Sequence, residues 1–155
     1  MQTIIEKTGQ TFNVALTKRT GLVAGTTVLT LKGEMKVEDL QIGDRIITRD
    51  AGMAVLKGIA ATEVTMTPIK IKAGSLGHNR PEAEMLTSPD TLIHIRDWRA
   101  QALFGKSPAL VPARRLVDGE FISQAAKAQV KIFDLNFDRQ HIIYADGVEV
   151  ATAEV

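Results

Sequence analysis

The three histidines, the hydroxyl residues and the carboxylates carry whatever chemistry this chain has, because it contains no cysteine. Without a thiol there is no thiolate nucleophile, no disulfide and no cysteine-bearing zinc or iron–sulfur site. His78, His94 and His141 are too dispersed for an HxH or HExxH pair, so no metal is expected. His78 falls in a polar loop and reads as solvated. His94 lies on a strand pattern three positions after Thr91, which puts the two on opposite faces. His141 reads as a strand-edge residue. Glu38 and Asp39 are adjacent and therefore diverge; negative charge at the start of a short helix accounts for them better than paired acid–base work. The run Gly74-Ser75-Leu76-Gly77 is followed by neither Gly-Lys-Ser nor a helical pattern, so it is not expected to cradle phosphate. No cofactor is expected, and local spacing assembles no Ser/His/Asp set.

Elements that could position these groups are short. Apolar and β-branched runs are cut repeatedly by glycine, aspartate or proline, the punctuation of an all-β domain. Strands are expected at Thr27 to Leu31, Arg45 to Thr48, Ile69 to Ile71, Leu92 to Ile95, around Val130 and Ile132, at His141 to Ala145 and at Val148 to Val150. Asp146-Gly147 between the last two is a hairpin signal. Helical turns are expected only near Val37 to Leu40 and Ala113 to Val117, with Leu103-Phe104-Gly105 read as a strand or edge. At the start, Phe12, Val14 and Leu16 alternate with Asn13, Ala15 and Thr17 after a Thr-Gly-Gln turn. That pattern predicts a hairpin over residues 1–20, packed on a domain spanning 21–155.

Composition bounds the whole. With 155 residues, 45% hydrophobic and 24% charged, the chain is long and apolar enough for one core without a disulfide or metal staple. Nineteen basic side chains against eighteen acidic leave a net charge of +1, and no basic stripe is visible, so nucleic acid is not an expected partner. No basic leader followed by an apolar run opens the chain, and no stretch reaches the ~18 apolar residues of a membrane span. The expectation is therefore a chain without a membrane partner and with a cytoplasmic default location.

One resemblance organises these fragments. Gly25-Thr26, Leu29-Thr30, Gly33, Val37-Glu38-Asp39-Leu40, Gly43-Asp44, Ile47-Thr48-Arg49-Asp50 and Gly52 resemble the opening of bacterial Hint domains, of the Hedgehog/intein superfamily. Further matches follow in order: Pro68-Ile69-Lys70-Ile71, Ala73-Gly74, Leu76-Gly77, Pro81-Glu82, Ser88-Pro89, Leu110-Val111-Pro112-Ala113-Arg114 with Leu116, and Tyr144-Ala145-Asp146-Gly147. Together they cover nearly everything after Thr20.

The resemblance implies an all-β, horseshoe-like Hint fold and a self-cleaving chemistry. In that family a first-position cysteine attacks the preceding carbonyl to form a thioester. A histidine in the Ser-Pro-x-His block assists at the scissile amide, and a later histidine before the Ala-Asp-Gly turn assists the following steps. Carried onto this chain, the cysteine position is Gly21, the first histidine position is Thr91 and the late one is Gln140, with His141 beside it. The terminal Glu-Ser/Thr becomes Ala151-Thr152, which removes a carboxylate. A glycine has no nucleophile, and threonine and glutamine do not titrate near neutral pH. The resemblance therefore implies vestigial positions at Gly21, Thr91 and Gln140 and a domain serving as a structural or interaction module for a protein partner or flanking domain. The alternative is autoprocessing by a hydroxyl, with Thr20 or Thr26 as nucleophile and His141 as the remaining titratable candidate.

Overall fold

The computed structural model describes residues 21–153. The hairpin expected over residues 1–20 lies outside the described residues, as does Thr20. Fourteen strands follow one another: β1 (Leu22–Val23), β2 (Thr27–Thr30), β3 (Gly33–Lys36), β4 (Arg45–Thr48), β5 (Gly52–Val55), β6 (Gly58–Met66), β7 (Ile69–Ile71), β8 (Met85–Thr87), β9 (Leu92–Ile95), β10 (Ala109–Pro112), β11 (Ile122–Gln124), β12 (Ala128–Asn136), β13 (Ile142–Ala145) and β14 (Val148–Ala151). An eight-stranded sheet runs β10-β9-β14-β13-β2-β4-β5, with β3 paired to β2. A second sheet, β1-β12-β6, is mostly a long two-stranded ribbon, and a third is β11-β7-β8.

Alternation explains the strands that pattern predicts. In β7, Ile69 and Ile71 are fully buried while Lys70 is not. Val28, Ile46, Ile93, Ile143 and Val150 join them in the core, so the β-branched residues of six strands fill one interior. Asp146 and Gly147 have φ of 51° and 82°, the two left-handed residues that a tight hairpin between β13 and β14 needs. Asp146 does more than turn the chain: its Oδ1 accepts from the Thr27 N–H and hydroxyl, both at 3.0 Å, fixing the turn to β2.

Three elements differ from the sequence expectation. Residues 98–104, Trp98 to Phe104, form an α-helix (α1), so Leu103 and Phe104 are helical rather than strand. Asp97 caps it, accepting from the Arg99 N–H at 3.0 Å, and Gly105 closes it with φ 75° and its N–H on the Gln101 carbonyl. At under two turns, with Ala100 its only buried residue, α1 shows no apolar stripe for periodicity to find. β5 and β6 also escape the pattern, because most of their residues are exposed. Their partners hold them: β6 pairs with β12 from Met66 opposite Ala128 to Gly58 opposite Asn136. The helical turns expected near Val37 and Ala113 are 3-10 turns at Val37–Asp39 and Ala113–Leu116. Among the described residues no helix is long and apolar enough to cross a membrane.

Candidate functional site

Gly21 immediately precedes β1, whose Leu22 pairs with Phe133 of β12. That pairing presses the glycine against β12. A Cβ built on Gly21 would stand 2.3 Å from Ile132 Cγ2, 2.8 Å from the Phe133 carbonyl oxygen and 2.8 Å from Asp134 Oδ1. Real Cβ atoms do not approach that closely, and two of the three atoms belong to a branched core side chain and a backbone carbonyl. Packing therefore requires glycine at position 21, and a nucleophilic side chain there requires β12 to retreat. Asp134, with its carboxylate aimed at this spot, is a residue the sequence did not single out; only the register of β1 on β12 reveals it.

Thr91 reaches the same point from across the fold. It lies fully buried in the turn between β8 and β9, with its N–H on the Ser88 carbonyl at 3.2 Å and its carbonyl accepting from Ala113 at 2.9 Å. The 3-10 turn at Ala113 holds the loop further, through the Arg114 N–H on the Pro89 carbonyl and an Arg114–Asp90 ion pair. So anchored, the Thr91 hydroxyl donates to the Gly21 carbonyl at 3.3 Å. A neutral hydroxyl can satisfy that carbonyl but cannot deliver or accept a proton near neutral pH.

Gln140 and His141 take different directions. Gln140 Nε2 donates to the Thr152 carbonyl at 3.1 Å. Leu22 and Asp134 share a small cleft with Thr152 and Ala153, so this terminal segment passes beside the Gly21 region and Gln140 is tied to it from behind. His141 is buried; its N–H donates to the Thr152 hydroxyl at 2.9 Å and its carbonyl accepts from the Thr152 N–H at 2.8 Å. Its ring Nδ1 lies 2.9 Å from Asp50 Oδ2, and the ring stacks edge-on against Phe137 at 5.5 Å. Expected at a strand edge, His141 is instead enclosed, because Asp50 arrives from the end of β4 to pair with it.

Asp50 organises this corner. Partial desolvation pushes its carboxyl pKa up, but the Ile142 N–H on Oδ1 and the His141 ring on Oδ2 outweigh that and hold it below the ordinary carboxylate value. Arg139 adds an ion pair at 3.4 Å. An ionised Asp50 only accepts, so Nδ1 of His141 carries the proton. That arrangement orients an imidazole as a base would be oriented, yet among the described residues no hydroxyl hydrogen-bonds its Nε2.

Thr26 is buried in the turn after β1, its N–H on the Val23 carbonyl at 3.1 Å and its carbonyl accepting from Val37 at 2.8 Å. Glu38, expected to charge a helix start, instead closes this turn: its Oε1 accepts from the Gly25 N–H at 2.8 Å, the main cause of its lowered pKa. His94 is bonded to Glu149, and His78 is exposed in its loop. Among the described residues no group of three or more His, Asp and Glu could hold a metal.

The sequence profile of the Hint domain matches residues 20–154. No curated protein is significantly similar in sequence. Among solved structures, the bacterial intein-like domain from Clostridium thermocellum superposes with a TM-score of 0.57 at 17% identity, covering 86% of this chain and 99% of that one. The AceL NrdHF class 3 split intein, in a glutathione-linked splice-inactive form, gives 0.54 at 13% identity over 87% of this chain and 98% of that one. The Msm DnaB1 intein splicing domain bound with zinc gives 0.54 at 12% identity over 86% and 99%. Such identities speak for the fold alone, and the profile match over nearly the whole described chain speaks for the family: this chain belongs to the Hint domain family and has its all-β fold.

Proposed function

We propose that this Hint domain has lost self-cleavage and serves as a structural or protein-interaction module. The observation that carries this is the closure of β12 on Gly21, where a side-chain nucleophile is lacking and a Cβ would meet Ile132 and the Phe133 carbonyl. Thr91 supports it, since its hydroxyl satisfies the Gly21 carbonyl where a proton donor of the family would act on the adjoining peptide. Gln140 supports it as well, holding the Thr152 carbonyl with an amide that does not titrate. A partner or flanking domain is the proposed counterpart, and Trp98, 65% exposed, gives it an apolar contact point.

Intact-protein mass spectrometry tests the loss of cleavage. Purified protein incubated with and without a small thiol is expected to remain one species near 16.9 kDa. Accumulation of a fragment starting at Thr20 overturns the proposal and assigns the chemistry to the Thr20 hydroxyl attacking the Arg19 carbonyl, and a fragment starting at Gly21 overturns it with Thr26 the hydroxyl to substitute first. Trp98 is the only tryptophan, so its emission reports any partner that covers it.

A further inference from the structure

Glu149 lies in the middle of β14, between Val148 and Val150, and is only 3% exposed. Its Oε1 accepts from Arg96 Nε at 2.9 Å and from His94 Nδ1 at 2.8 Å, and its Oε2 from Arg96 Nη2 at 2.8 Å. This forked pair with Arg96 already neutralises the carboxylate. Burial pushes its pKa up, but Arg96 and His94 outweigh that and keep it below the ordinary value, so Glu149 is ionised.

Two more arginines crowd the same group. Arg49 Nε stands 3.6 Å from Oε1 and Arg80 Nη1 stands 3.5 Å from Oε2, within ion-pair reach but too far for hydrogen bonds. A carboxylate has about four acceptor positions, and Arg96 and His94 take three of them. Among the described residues the Arg49 guanidinium makes no hydrogen bond, and that of Arg80 makes only a long one, from Nε to the Gly77 carbonyl at 3.5 Å. Three guanidiniums against one carboxylate leave two positive charges here, whereas the whole chain carries +1. The repulsion among them is only partly offset by Glu149.

All of these groups except Arg49 line a narrow cleft, and Arg49 reaches Glu149 from outside it. Arg80, His94, Arg96 and Glu149 line it with Leu76 and Ile95. The cleft's other acid, Asp97, is already engaged by Arg99, through Nη1 at 2.7 Å and the backbone N–H at 3.0 Å. Arg49, Arg80 and Arg96 remain 39%, 25% and 39% exposed, so their donors are open to solvent. Neutralising Glu149 requires one of them; the other two are surplus.

We propose that the guanidiniums of Arg49 and Arg80, gathered over Glu149 at the mouth of this cleft, bind a small oxyanion, a carboxylate or a phosphate, with Arg96 fixed beneath them by Glu149. Guanidinium forks recognise both groups by paired N–H bonds, and a spherical halide offers no such match.

The test is a titration of the full chain, observed through the arginine Nε–Hε NMR signals. Sodium phosphate and sodium acetate are added separately at constant ionic strength, with sodium chloride as control, so the two arms distinguish a phosphate from a carboxylate source. Saturable shifts at Arg49 and Arg80 are expected with at least one of the two. The double variant Arg49→Gln, Arg80→Gln should weaken that binding by about tenfold or more while keeping the wild-type backbone amide spectrum. Glu149→Gln should tighten it, because the internal competing charge is gone; a cluster that serves only to neutralise Glu149 would instead lose stability with no gain in affinity. Arg49→Gln alone, at a partly exposed side chain whose guanidinium makes no hydrogen bond, carries the test if the other variants fail to fold, and it too should weaken binding. Shifts that match chloride, an adventitious ion only, or undiminished binding in a folded Arg49→Gln protein would overturn the proposal.

Discussion

Gly21 links sequence, packing and function most directly. Replacing it with alanine should destabilise the protein by about 1–3 kcal/mol, the usual cost of forcing extra atoms into a filled site, and urea denaturation measures it. The same crowding sets an expectation for restoring the family's chemistry. Gly21→Cys combined with Thr91→His and Gln140→His should remain uncleaved by thiol, because the new side chain enters the space of Ile132 and the Phe133 carbonyl. Cleavage before residue 21 in that triple variant would show that β12 yields and that only the side chains were lost. Asp50 gives a second expectation at this scale. Its folded pKa lies below the ordinary carboxylate value, so the stability it contributes is present above about pH 4 and is lost as the pH falls through its lowered folded value. Asp50→Asn should therefore be less stable than wild type at pH 7, and the gap between their urea midpoints should narrow as the pH falls below about 4. A gap independent of pH would mean that the Ile142 and His141 contacts do not depend on the charge.

At the scale of elements, the hairpin between β13 and β14 is the clearest case of local chemistry setting structure. Gly147→Ala puts a side chain at φ 82° and should cost about 1–2 kcal/mol, the penalty of a left-handed residue with a Cβ. Thermal unfolding of the variant against wild type checks it. The turn was legible as Asp-Gly, but the clamp from Asp146 onto Thr27 was not, since it spans residues far apart in the chain. α1 was missed for the opposite reason: its signals, the Asp97 cap and the Gly105 stop, are local and present, while the periodic stripe that identifies helices is lacking in so short an element. Asp97→Ala should cost about 0.5–2 kcal/mol, the usual worth of such a cap, and the same thermal unfolding measures it.

Across the described residues, the eight-stranded sheet joins early strands, β2 and β4, to the late strands β13 and β14. β14 is not an edge: it lies between β13 and β9, and β13 in turn reaches β2 and β4. A chain ending before Val148 should therefore lose the centre of the sheet and show neither cooperative unfolding nor dispersed amide signals, rather than a domain with a frayed edge. The same topology makes folding depend on pairings such as Ala145 with Val28, which close long loops, so refolding on the millisecond-to-second scale of β-rich domains is expected.

Sequence by itself determined the strand-and-turn character, the positions of the main β-branched strands, the lack of a thiol, and the residue types at Gly21, Thr91 and Gln140. These are properties of residue type and short spacing, and short spacing is what a chain displays. Tertiary structure alone decided that β12 closes on Gly21, that Asp134 stands beside it, that Asp50 encloses His141, and that three arginines converge on Glu149. Arg49, Arg80, Arg96 and Glu149 sit on four separate segments, and nothing in their spacing announces that one sheet face collects them. A carboxylate centred in an apolar strand, Val148-Glu149-Val150, was the only local sign, and it becomes meaningful only once the sheet buries it.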